Sequence, residues 1–212
     1  MKYYIAPPFG NHLHRPDMYS VMGTFTLLSR PGLLKALLKT LRYSFHHKGW
    51  TNQLGMRNPG IEKGINKYYV QPHRRIVSIC GFNYGEWKTL AEYTRGIRIE
   101  LNLSCPNVED GSMFSHSANL TSQAVAAVRA NTDRPILAKL APNVPDITEI
   151  AQAAVESGAD ALTICNTMPA MRINTQTHQP VLGNITGGLS GMGLRPISLA
   201  LVYQVAKQVN VP

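Results

Sequence analysis

The second half of the chain alternates short aliphatic runs with longer amphipathic stretches. Runs rich in Ile, Leu and Val cover residues 97–103, 136–140 and 161–165, and their length and type predict buried strands. Between them, Ala124, Val125, Ala127 and Val128 give residues 121–132 a helical stripe. Asp146, three residues before Glu149, opens a second helix that stops at Gly158, with the N-terminal acceptor and C-terminal glycine that helices favour. Residues 196–210 read as a further helix. Earlier, strands are predicted at 5–6, 19–26 and 76–80, and Leu33, Leu34, Leu37, Leu38, Leu41 and Phe45 mark an amphipathic helix between the second and third. Six strands alternating with helices predict a parallel α/β sheet with right-handed crossovers, which fits either an open doubly wound sheet or a barrel.

No linker or repeat divides the 212 residues, so one domain over 1–212 is expected. That length is below the roughly 250 residues of a typical complete (β/α)8 barrel. Hydrophobic residues make up 44% and charged residues 16%, a globular balance that excludes a disordered or fibrous chain. No apolar run reaches the roughly 18 residues of a membrane span, and the first residues lack the apolar core of a secretory signal. A soluble, cytoplasmic protein is expected. Cys80, Cys105 and Cys165 form no C-x-x-C pair, which suits a reducing compartment. The seven histidines show no metal-ligand spacing, so no metal is expected.

The formal charge is +9, and much of the excess lies early, at Lys35, Lys39, Arg42, Lys48, Arg57, Lys63, Lys67, Arg74 and Arg75. Such a face attracts phosphate, acidic protein or anionic lipid, or is simply solvated. Without zinc-finger spacing or RNA-binding aromatics, nucleic acid is not an expected partner.

Polar residues gather after the strands, in Asn102-Leu103-Ser104-Cys105-Pro106-Asn107, Ala141-Pro142-Asn143 and Asn166-Thr167. Parallel sheets bind ligands at that end. Asn52, Asn102, Asn107 and Asn166 supply amides that donate and accept, which suits a planar heterocycle with alternating carbonyl and N–H groups. Lys139 interrupts an apolar strand and must reach an anion, an electron-rich ligand or solvent. Gly187-Gly188-Leu189-Ser190-Gly191-Met192-Gly193 precedes the last helix and reads as a flexible loop whose N–H groups hold a phosphate or ligand carbonyl. Cys105, flanked by two of the asparagines, is a thiol whose ordinary pKa of about 8.5 needs only a modest shift to make a base or nucleophile.

In this order and spacing, Asn102 to Asn107, Lys139-Leu140-Ala141-Pro142-Asn143, Asn166-Thr167, Gly187-Gly188-Leu189-Ser190-Gly191 and Asn52-Gln53-Leu54-Gly55-Met56-Arg57-Asn58-Pro59-Gly60 resemble the class 1 dihydroorotate dehydrogenases. The resemblance implies a parallel (β/α)8 TIM-type barrel, incomplete here with about six β/α units, and FMN-dependent oxidation of dihydroorotate to orotate in pyrimidine biosynthesis. By motif position, Cys105 is the base, and Asn52, Asn102, Asn107, Asn166 and Thr167 hold the pyrimidine. Lys139, Gly187, Gly188, Ser190 and Gly191 contact FMN. The stretch from Asn184 to Gly191 is most similar to the NAD-linked subtype, which implies an iron–sulfur, FAD-containing electron-transfer subunit and a homo- or hetero-oligomer.

Two departures qualify the resemblance. Gly23 stands where the family's second-strand lysine is expected, with Arg30 the nearest replacement in sequence. The chain stops at Pro212, where a further strand is predicted; the absent units are those expected to bind the FMN phosphate. The alternative expectation is therefore a non-catalytic pyrimidine-binding or assembly subunit that does not retain FMN.

Overall fold

A computed structural model describes residues 2–46, 48–68, 74–104 and 113–212. In chain order the elements are β1 (Tyr3–Ile5), β2 (Met18–Phe25), α1 (Leu33–Thr40), β3 (Arg42–Ser44), β4 (Gly49–Asn52), α2 (Ile61–Tyr68), β5 (Arg75–Ile79) and α3 (Tyr84–Tyr93). They continue with β6 (Arg98–Asn102), α4 (Ala118–Arg129), β7 (Ile136–Leu140), α5 (Ile147–Glu156), β8 (Ala161–Ile164), β9 (Met168–Met171), β10 (Thr186–Gly191) and α6 (Arg195–Ala206).

Strands β1, β2, β5, β6, β7 and β8 form one sheet in that spatial order, every pairing parallel. The order follows the chain without reversing. A doubly wound sheet reverses at a switch point, whereas a barrel advances strand by strand. The sheet is thus the curled part of an incomplete TIM-type barrel.

Its two faces differ because side chains alternate along a strand. Val77, Ile79, Ile99, Leu101, Ile136, Ala138 and Leu140 join Trp87, Leu90, Val125, Val128, Ile150 and Ala154 in one core beneath the helices. Trp87 packs edge-on against Phe114, with ring centroids 5.7 Å apart. Ser78, Glu100, Asn102, Lys139 and Thr163 alternate with those core residues, and so give the other face a polar character.

A second, antiparallel sheet runs β3-β4-β10-β9. It corrects two expectations. The helix anticipated through Phe45 ends at Thr40, because Leu41 turns extended and Arg42 donates to the carbonyls of Leu38 and Lys39 at 3.2 and 3.0 Å before entering β3. The glycine-rich stretch is not a flexible loop: Gly187 to Gly191 belong to strand β10, whose backbone groups pair with β4 and β9, and only Met192 and Gly193 lie in the short 3-10 turn that leads into α6. Helices α2 and α3 were unanticipated. A Cβ at Gly64 in α2 would approach the Phe25 ring to 2.5 Å, so close packing on β2 requires a residue that weakens the local helical signal. Asn83 caps α3 by accepting from Glu86 N at 2.9 Å, and Glu86 accepts in return from Phe82 N at 2.9 Å. That Asn-x-x-Glu spacing was the signal available in the sequence.

Candidate functional site at the carboxyl ends of the parallel strands

The strand ends bring the polar residues together. Asn102 ends β6 and pairs in register with Lys139 on β7, which pairs in turn with Thr163 on β8. Asn166 and Thr167 follow β8 directly, where Asn166 N donates to Leu140 O at 2.9 Å. Asn166 Nδ2 donates to Asn102 Oδ1 at 3.0 Å, and Asn102 Nδ2 donates to Thr24 Oγ1 at 3.2 Å. Asn166 Oδ1 also accepts from Thr167 N at 2.8 Å.

The antiparallel sheet supplies the opposite wall. Asn52 ends β4, and its Nδ2 donates to Gly188 O at 3.3 Å. A Cβ on Gly188 would overlap Thr167 Oγ1, and one on Gly187 would overlap Asn52 O. These glycines therefore let β10 pass between the Asn52 and Thr167 loops. Gly191, at φ +103°, has no room for a Cβ against Gly49, while Ser190 pairs with Trp50. The two sheets meet where Asn52, Gly188, Thr167, Asn166 and Asn102 come together. Cys105 and Asn107 lie outside the described residues.

Beneath the amides lies a carboxylate that sequence reasoning passed over. Glu100 is buried, 2% exposed, and accepts from Ser78 Oγ at 2.9 Å and Thr163 Oγ1 at 3.1 Å. Ser78 Oγ lies 3.0 Å from Thr24 Oγ1. The available signal was polar residues at the same alternating position in three otherwise apolar strands.

Gly23 is close-packed at φ +98°, where a Cβ would sit 2.6 Å from Ser78 O. A side chain is sterically excluded there, and Gly23 makes a close backbone contact between β2 and β5. The guanidinium of Arg30 lies 5.1 Å from the Phe82 ring centroid, and its Nε donates to Gly55 O at 3.4 Å.

Lys139 is half-buried, and among the described residues it forms neither of the ion pairs. Burial pushes the nearby Cys165 thiol above its usual range, an effect larger than the opposing pull of the Lys139 ammonium. Cys165 is therefore held as a neutral thiol. Ser104 Oγ is buried without a hydrogen-bond partner among the described residues. An ammonium and a hydroxyl left available beside paired amides fit a flat heterocycle bearing ring nitrogens and carbonyls.

The dihydroorotate dehydrogenase family profile matches residues 19–212. The chain belongs to this family. Among curated family members, the catalytic subunit of dihydroorotate dehydrogenase B (NAD(+)) from Bacteroides thetaiotaomicron is 41% identical over 173 residues, covering 77% of this chain and 57% of that protein. The subunit of the same name from Brachyspira hyodysenteriae is 42% identical over 175 residues, with the same two coverages. The chain thus spans a little over half the length of these dihydroorotate dehydrogenase relatives. Among the described residues, no helix is long and apolar enough to cross a membrane.

Proposed function

We propose that this chain, as one domain over 1–212, carries the pyrimidine-binding part of an FMN-dependent dihydroorotate dehydrogenase that oxidises dihydroorotate to orotate. The observation that carries the reading is the meeting of Asn102, Asn166 and Thr167 with Asn52 across Gly188, beside an ammonium, Lys139, that forms no ion pair among the described residues.

In this reading Asn52, Asn102, Asn107, Asn166 and Thr167 orient the pyrimidine, their amides matching its carbonyls, N–H groups and carboxylate. Cys105, as thiolate, takes the C5 proton. An S–H bond forms while the C5–H electron pair becomes the new C5–C6 double bond and hydride departs from C6. FMN, when bound, supplies the acceptor for that hydride. Lys139 places a positive charge where negative charge accumulates, a role that preorganised cations serve well in sites shielded from water. Gly187, Gly188, Ser190 and Gly191 line the site through β10. Pairing in β10 leaves their backbone fewer free donors than a loop would offer, so the proposed FMN contact is one of close approach rather than a phosphate cradle.

The relatives are named as catalytic subunits of an NAD(+)-linked enzyme. An iron–sulfur, FAD-containing electron-transfer subunit and a homo- or hetero-oligomer follow as proposed partners, in the cytoplasm.

Orotate titration of the full chain supplied with FMN tests the reading. Saturable perturbation of the flavin absorption is expected. Binding of orotate without FMN would select a non-catalytic pyrimidine-binding subunit, and binding of neither would overturn the proposal.

A further inference from the structure

We propose that Glu100 is a positioning residue that sets which atoms of the Asn102 and Asn166 amides face the ligand. The inference rests on the pyrimidine-binding reading and adds to it a device that determines hydrogen-bond polarity.

A primary amide has nearly the same shape in either orientation, so packing alone discriminates weakly between its oxygen and nitrogen ends. A neighbour that can only accept, or only donate, removes the ambiguity. Glu100, when ionised, is acceptor-only. Its Oε1 takes the single proton of Ser78 Oγ at 2.9 Å, and its Oε2 takes that of Thr163 Oγ1 at 3.1 Å. With its proton committed, Ser78 Oγ can only accept across the 3.0 Å contact with Thr24 Oγ1. Thr24 must therefore donate there, and its oxygen is left to accept from the next group. That group is the Asn102 amide at 3.2 Å, which must present Nδ2.

The remaining orientations follow. With Nδ2 on Thr24, Asn102 Oδ1 faces the other way and accepts from Asn166 Nδ2 at 3.0 Å and Ser104 N at 3.3 Å. Asn166 then places Oδ1 on Thr167 N at 2.8 Å. Five side chains from three parallel strands and the loop after β8 thus share one direction of donation, ending at the buried carboxylate. Asn166 keeps a second Nδ2 proton for the ligand, and its oxygen is already engaged. The Asn166 position is consequently biased towards ligand acceptors, a carbonyl or carboxylate oxygen, over ligand donors. Glu100 touches none of the reacting atoms in this scheme and acts through Ser78 and Thr24.

A glutamine at position 100 keeps the shape but carries both a donor and an acceptor, so it no longer enforces the direction from below, and only the donor-only N–H groups of Ser104 and Thr167 still favour it. Orotate binding to the full chain supplied with FMN would be measured for wild type, Glu100→Gln, Ser78→Ala and Thr163→Val, with FMN affinity and melting temperature recorded for each. The account predicts that Glu100→Gln and Ser78→Ala weaken orotate binding about tenfold, the scale of one hydrogen bond. It predicts that Thr163→Val, which removes the other hydroxyl from the same carboxylate but leaves the relay intact, changes binding less than about twofold. A merely structural role would move Ser78→Ala and Thr163→Val alike, because each removes one donor to Glu100. Equal effects of those two variants, or unchanged binding in Glu100→Gln beside a wild type that binds orotate, overturns this inference alone. A wild type that binds no orotate overturns the pyrimidine reading and this inference with it.

Discussion

Replacing Cys105 by serine is expected to slow dihydroorotate oxidation by about 10²–10⁴-fold, the usual contribution of a positioned general base. Serine preserves size and hydrogen bonding, but its hydroxyl ionises far less readily than a thiol. The base therefore disappears while the pocket stays intact. Stopped-flow reduction of the FMN-loaded protein measures the rate, and orotate affinity, expected to change less than about threefold, reports on the pocket. Unchanged reduction would remove Cys105 from the mechanism. Cys165 is a poor substitute, because burial holds its thiol in the neutral form, and Cys80 is fully buried in the core under the helices.

The second large effect is expected at Lys139. Methionine matches the length and much of the volume of lysine without its charge, so Lys139→Met isolates the ammonium. Charge-assisted hydrogen bonds contribute about 1.5–3 kcal/mol, and the predicted loss in hydride-transfer rate is therefore roughly 10- to 100-fold. Stability should not fall with it. Lys139 forms neither of the ion pairs seen among the described residues, and a half-buried charge without a partner costs free energy on folding. A melting temperature equal to or above that of the wild type, together with slowed reduction, is the predicted pair of results. Full-speed reduction would show that the charge has no part in the chemistry.

The parallel sheet was legible in the sequence because its strands are apolar on the helix-facing side and the elements between them carry caps. Asp146 accepts from Thr148 N and Glu149 N at 2.8 and 3.3 Å, as its spacing indicated. The hydrogen bond from the Thr148 hydroxyl, followed by these two from the backbone, holds its carboxyl below the usual range. The choice between a barrel and a doubly wound sheet was not legible in the alternation of elements, since both repeat the same β/α unit and differ only in spatial order; it came from the motif resemblance, which implied the barrel.

The antiparallel sheet was hidden for a different reason. Its strands have three to six residues, and β9 contains Pro169. β10 contains Gly187, Gly188 and Gly191, which weaken strand propensity. Those residues are explained only by tertiary contacts between Gly188 and Thr167 or between Gly187 and Asn52, which local pattern cannot reveal. The amides and Lys139 stood out because they follow, or interrupt, apolar runs. Glu100 did not, because a single acid in a strand has no meaning until Ser78 and Thr163 lie beside it on neighbouring strands.

The most direct measurement of the central claim is anaerobic mixing of the FMN-loaded protein with dihydroorotate while the oxidised flavin band is followed. The account predicts stoichiometric bleaching with formation of one orotate per flavin, and recovery of the band when an electron acceptor is admitted. A protein that binds FMN and orotate yet shows no bleaching with dihydroorotate would contradict it.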